Sequence, residues 1–235
     1  MRVRTQAPAG SRLTLPPDPP ASCMLGAMHD LAAITAPFYP DLEELGRFAP
    51  VESHALSEDY QALLDHDDHM TVTVEAFHDT LVDIRVLEEH RDGDFYSRVS
   101  LLVCRETGRI VQLGIMRIDL AGLPAKVREG IEARRAPLGR ILIRHHILRR
   151  VELCQLWRID PGPVLRQHLV TPPGEAVGWD EVPPAAGTEA VSGWHGGILS
   201  QPTHAATALD FIYGRSARII VEGRPAVELL EIVRA

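Results

Sequence analysis

The feature that most constrains this chain is a series of alternating segments between residues 70 and 120. Leu81-Val-Asp-Ile-Arg-Val-Leu87 alternates apolar and polar residues. An Asp92-Gly93 turn leads into Phe95-Tyr-Ser-Arg-Val-Ser-Leu-Leu-Val103. A second turn at Glu106-Thr-Gly108 leads into residues 110–120, Ile-Val-Gln-Leu-Gly-Ile-Met-Arg-Ile-Asp-Leu. Met70-Thr-Val-Thr-Val-Glu75 alternates as well and reads as a strand hairpinned with 81–87. A two-residue period gives each strand one buried face, and short turn-forming links give antiparallel neighbours.

Arg98 lies inside this pattern, just before Leu101-Leu102-Val103. An arginine there either faces solvent or meets an anion inside the fold. The residues alone leave both open.

Elsewhere the period changes. Ser57-Glu-Asp-Tyr60 has the form of a helix N-cap with acids in the first turn. Tyr60, Leu63 and Leu64 supply an apolar face, and the helix is expected to end in Asp65-His-Asp-Asp-His69. Leu123, Val127 and Ile131 share one helical face, with Pro124 near the first turn. Pro137-Leu-Gly139 breaks that helix, and residues 140–143 begin a short second one. Leu148–Trp157, residues 209–222 and Ala226–Val233 return to strand patterning, with Gly223-Arg-Pro225 as a turn. Residues 28–50 are weakly patterned, with a short helix interrupted by Pro37 and Pro40. The expected class is α+β with a mainly antiparallel sheet.

Residues 1–27 read as a flexible N-terminal extension, with Met24 or Met28 as the start of the folded part. Residues 28–235 read as one domain carrying an insertion at 160–205. That tract holds seven Pro and seven Gly and little periodicity, which suits a functional lid or a poorly ordered insertion.

Net charge is −8 with no run of basic residues, which argues against nucleic acid as a partner. No segment reaches the roughly 18–20 apolar residues of a membrane span, so no membrane partner is expected. Cys23, Cys104 and Cys154 are odd in number and form no Cys-x-x-Cys, so a reducing, cytoplasmic setting fits. Cys104 and Cys154 sit in apolar strands and read as core residues.

The Asp65–His69 cluster has metal-ligand chemistry. A solvated helix end is the preferred reading, because no matching ligand group recurs at helical or hairpin spacing. His145-His146 suits a helix end or surface role.

Taken in order, His69-Met-Thr71, Arg98, Pro137-Leu-Gly139, a strand with Arg149 and Glu152, Tyr213-Gly-Arg215, Gly223-Arg-Pro225 and a terminal strand bearing a glutamate form a set. The set resembles the chorismate lyase family, the chorismate–pyruvate lyases, over residues 60–157 and 209–233. The actinobacterial 4-hydroxybenzoate-forming branch is the nearer of its two branches. The resemblance implies a six-stranded antiparallel sheet with helices on one side, enclosing an aromatic-acid site. It implies a cofactor-independent reaction that eliminates pyruvate from chorismate to give 4-hydroxybenzoate. It places Arg98 on the ring carboxylate, Met70 and Leu138 at that same end, and a glutamate of the last strand at the 4-hydroxyl. Glu231 is chosen over Glu228 for that role. Arg98 and Glu231 are thus the expected catalytic pair, and Met70, Arg98, Leu138 and Glu231 the substrate contacts. Two alternatives are a non-catalytic acid-binding module of the same fold and a diverged lyase for a larger aryl substrate. The long extension and the 160–205 tract depart from the family pattern.

Overall fold

Seven strands carry the alternating segments into one sheet, in which every neighbouring pair is antiparallel. The computed structural model describes residues 31–147, 149–170 and 211–235. The expected extension at 1–27 and most of the Pro- and Gly-rich tract lie outside the described residues.

The strands are β1 (Gly46–Val51), β2 (Val82–Asp92), β3 (Phe95–Cys104), β4 (Ile110–Asp119), β5 (Arg149–Pro161), β6 (Ile212–Val221) and β7 (Arg224–Val233). Their spatial order is β1-β5-β6-β7-β4-β3-β2. Four helices frame the site, α1 (Glu58–Leu64), α2 (Met70–His78), α3 (Ala125–Glu132) and α4 (Leu138–Arg144).

One face of the sheet carries Tyr96, Met116, Ile118, Ala217, Ile219 and Leu229, packed under α3 and α4. Beside them Leu102, Tyr213 and Val233 pack with Leu63 and Leu64 of α1 and with Met70 and Val74 of α2. The opposite face carries Val99, Leu101, Leu113, Ile115, Trp157, Leu230 and Ile232. Leu31, Ile34, Tyr39 and Leu45 cover it, with Leu165 and Leu169. Both faces are therefore buried, which is why β3, β4 and β7 read as nearly continuous apolar runs.

Four expectations are corrected. The sheet has seven strands instead of six, because Gly46–Val51 adds an edge strand to β5. Pro50 suits it to that edge, where a missing N–H costs the ladder least. Met70–Glu75 is helical, the first part of α2. Met70, Thr71 and Val74 are its buried residues, a helical i, i+1, i+4 stripe beneath the alternation of β-branched residues. Helices also do not lie on one side alone. The chain is helical at 31–35 and again at Pro163–Leu165, and both segments contribute to the core of the second face. Cys104 is buried but Cys154 is exposed, at the point where the β5–β6 register shifts.

Candidate functional site

Adjacent strands place a row of polar side chains across the centre of the helix-covered face. Ser100 of β3 pairs with Gly114 of β4, Gly114 with Glu231 of β7, and Glu231 with Arg215 of β6. The next row brings Arg98, Met116, Leu229 and Ala217 into line. At the middle of the first row stands a glycine, so the sheet is hollowed between Ser100 and Glu231. A Cβ on Gly114 would come within 3.3 Å of Gln112 Nε2 and 3.9 Å of Ser100 Oγ.

The roof over this hollow is made by the N-termini of α2 and α4. They approach so closely that a Cβ on Gly139 would lie 3.2 Å from both His69 Cβ and Thr71 Oγ1. Met70 and Leu138 are the first residues of these two helices, and both are buried. The partly open cavity beneath them is lined by Met70, Arg98, Leu138 and Glu231, the four residues singled out in the sequence. Arg215, Ser100, Gln112 and His69 join them. The cavity is small, about 40 Å³, and opens on one side.

Arg98 is 0% exposed, and among the described residues none of its three guanidinium nitrogens has a hydrogen-bond partner. Burial pushes its pKa down from the usual arginine range, while nearby Tyr96 and Glu89 push it up. Those two neighbours act through proximity, since neither gives the guanidinium a hydrogen bond of good geometry. A guanidinium remains charged under such conditions. A buried cation is costly unless something anionic meets it.

Glu231 has a partner, and it is neither Arg98 nor Arg218. Arg98 does not pair with it, and Arg218 stands across from Glu228 in the β6–β7 ladder. Arg215 Nε donates to Glu231 Oε2 at 2.8 Å in a pair that is almost fully buried. The rest of Arg215 ties the α1–α2 link to the sheet. Its Nη1 donates to Leu64 O at 3.4 Å and His66 O at 2.8 Å, and its Nη2 to Asp68 O at 3.2 Å. One buried arginine thus fixes both Glu231 and the segment leading into α2. Glu228 lies apart from the cavity and pairs with Arg117 at 3.4 Å on a half-exposed part of β7.

The Asp65–His69 cluster contributes backbone carbonyls and imidazoles to this region. Among the described residues, no group of three or more His, Cys, Asp or Glu is arranged to hold a metal. His69 accepts a hydrogen bond from Arg149, and its pKa falls to about 4 through burial first and then the charges of Arg149 and Arg215. His66 is shifted down as well, by burial first and then by the charge of Arg215.

Arg215 was quoted in the sequence as part of Tyr213-Gly-Arg215, but its role was not read from it. The available signal was the one that marked Arg98, an arginine in a strand otherwise built for burial. Gln112 and Ser100 gave a weaker signal, as polar residues in apolar runs. Gln112 Oε1 is buried and has no partner among the described residues, so beside the three Arg98 nitrogens it offers the cavity an unsatisfied acceptor.

Among the described residues, no helix is long and apolar enough to cross a membrane. No family model and no curated protein matches the chain. Among solved structures it is similar to a GntR-family transcriptional regulator from Bacillus cereus, at 11% identity and a TM-score of 0.35, over 65% of this chain and 90% of that one. It is also similar to the ligand-binding domain assigned to a GntR-family regulator from Bordetella bronchiseptica, at 12% identity and a TM-score of 0.38, over 66% and 85%. Likeness at this level leaves fold and function to be read from the chain itself.

Proposed function

We propose that the chain holds a small aromatic or cyclohexadiene carboxylic acid in this cavity, its carboxylate on Arg98 and its ring hydroxyl toward Glu231. The observation that carries this is the buried Arg98 guanidinium, which has no hydrogen-bond partner among the described residues and lines a partly open cavity. A bidentate fork to a carboxylate satisfies both its charge and its donors. Met70 and Leu138 then press on the carboxylate end, and Met116 and Leu229 offer apolar atoms to the ring.

The chemistry that fits best is elimination of pyruvate from chorismate, as the family resemblance suggests. The ether bond between ring and side chain breaks. The ring carbon bearing the hydroxyl loses its hydrogen as the ring becomes aromatic. The methylene of the departing enolpyruvyl group gains a hydrogen and becomes the methyl of pyruvate. All atoms of chorismate are divided between pyruvate and 4-hydroxybenzoate, so the reaction needs no oxidant, reductant or cofactor. What remains for the protein is to bind the acid, hold the ether in a reactive conformer and keep water out. Arg98 supplies the fixed end. Glu231 has Oε2 occupied by Arg215, which leaves Oε1 to accept from the ring hydroxyl.

That same pairing supports a second reading, in which the cavity binds a hydroxylated aromatic acid without turning it over. A carboxylate held by Arg215 is well placed to orient a ligand whether or not a reaction follows.

Incubating the protein with chorismate and following pyruvate separates the two. Pyruvate release that is lost in Arg98→Met supports the lyase. Saturable binding of 4-hydroxybenzoate with no pyruvate at high protein concentration supports the binding module. Neither binding nor pyruvate removes both.

A further inference from the structure

Behind the cavity, the cross-strand neighbour of Arg98 in the β2–β3 ladder is Glu89. Side chains directly opposite in an antiparallel pair lie close enough for opposite charges to meet. Glu89 nevertheless forms no ion pair with Arg98. Its carboxylate is fully engaged on the other side. Arg134 Nε donates to Glu89 Oε1 at 2.8 Å, and Arg134 Nη2 lies 2.5 Å from Oε2. The Tyr96 hydroxyl donates to Oε1 as well.

Arg134 itself is placed for this. It follows α3, in the left-handed region at φ 59°, so the chain turns there and the side chain reaches β2. The neighbouring pair Arg91–Glu132, at 2.5 Å, ties the same two elements with the charges reversed.

We propose that Arg134 acts as a positioning residue, holding Glu89 off Arg98 so that the cavity's guanidinium stays available to an incoming carboxylate. A bidentate fork is a strong and directional hold. Without it, Glu89 loses two of its three contacts, and the cation directly across the strand pair is Arg98. An internal carboxylate then competes with the ligand's carboxylate for the same donors. The inference rests on the acid-binding reading of the cavity.

The test is calorimetric titration of 4-hydroxybenzoate into four proteins at one ionic strength: wild type, R134A, E89Q and R134A/E89Q. Arg134 has a largely exposed side chain, 60% by area, so R134A is expected to fold, and its thermal unfolding checks that. R134A should bind about tenfold more weakly, and R134A/E89Q should return to within about threefold of wild type, a coupling of the usual size between interacting sites. E89Q alone should bind at least as well as wild type.

Rescue is the deciding readout, because a merely structural loss of Arg134 is not repaired by removing its partner. R134A binding like wild type overturns the inference and leaves the acid-binding reading standing. Weak binding by both R134A and the double variant overturns it too. Failure of wild type to bind removes the acid-binding reading and this inference with it.

Discussion

Replacing Arg98 with methionine should make the ligand-free protein more stable while removing its ligand response. The guanidinium is 0% exposed and has no hydrogen-bond partner among the described residues. Exchanging a buried charged group for a well-packed apolar one of similar size often stabilises by about 1–4 kcal/mol. Glu89 and Tyr96 lie close enough to favour the charge and offset part of its desolvation, so the lower half of that range applies, about 1–2 kcal/mol. Methionine reaches as far as the arginine stem and sits beside the apolar side chains of Met116 and Leu229, so little cavity is created. For a chain of this length each kcal/mol moves the melting temperature by about 2–4 °C, so R98M should melt about 2–8 °C higher. Scanning calorimetry without ligand measures this directly. A second scan uses 4-hydroxybenzoate at a hundredfold excess over its dissociation constant, which stabilises a binding protein by about 2.7 kcal/mol. Wild type should show that shift and R98M should not. An R98M protein less stable than wild type by more than about 1 kcal/mol, well outside the usual scatter of surface changes, would refute the premise that the guanidinium is left uncompensated in the fold.

Three further outcomes follow from the same geometry. Glu231→Gln should lose about 2–3 kcal/mol in urea denaturation, because Arg215 keeps its carbonyl acceptors but loses its buried counter-charge; no change means the pair contributes little to holding the fold. Gly139→Ala should cost about 1–3 kcal/mol by pushing apart the N-termini of α2 and α4. It should also weaken ligand binding, since those termini roof the cavity, and unchanged stability and binding speak against that close contact. For His69, burial and two arginines favour the neutral imidazole, and the folded-state pKa of about 4 lies below the ordinary 6.5. The unfolded chain therefore takes up the proton first as pH falls. Stability associated with His69 is complete above about pH 6.5 and declines toward about pH 4, and His69→Gln should flatten part of that decline in pH-dependent thermal scans. An identical pH profile in the variant contradicts this.

Much of the architecture was legible because both of its signals are local. The alternation in 81–87 and 95–103 and the Asp92-Gly93 turn sit on β2, β3 and the link between them. The Leu123, Val127, Ile131 spacing marks α3, whose buried residues are Val127 and Ile131. Residues 70–75 misled because Thr and Val favour strands, and the alternation hides a helical stripe. What decides for the helix is tertiary, the packing of Met70 and Val74 over the sheet with Leu63 and Leu64. β1 was missed because six residues containing a proline carry little pattern, and only pairing with β5 makes them a strand.

In the site, Arg98 stood out as a charge inside an apolar strand and Glu231 came only through the family resemblance, and both line the cavity. The partner of Glu231 was not legible. Which arginine faces it depends on the β6–β7 register, and that register shifts between Ile219 and Ile220. The hollow at Gly114 was equally hidden, because a glycine in a strand does not reveal which neighbours border it.

The most direct test of the central claim compares two ligands that differ only in the group offered to Arg98, an anionic carboxylate against a neutral carboxamide. Calorimetric titration of 4-hydroxybenzoate and of 4-hydroxybenzamide into wild-type protein asks whether a carboxylate meets Arg98. A charge-assisted contact to a buried guanidinium contributes about 1.5–3 kcal/mol, so the acid should bind at one site per chain and at least about tenfold more tightly than the amide. Equal affinity for the two, or no binding of the acid, would contradict it.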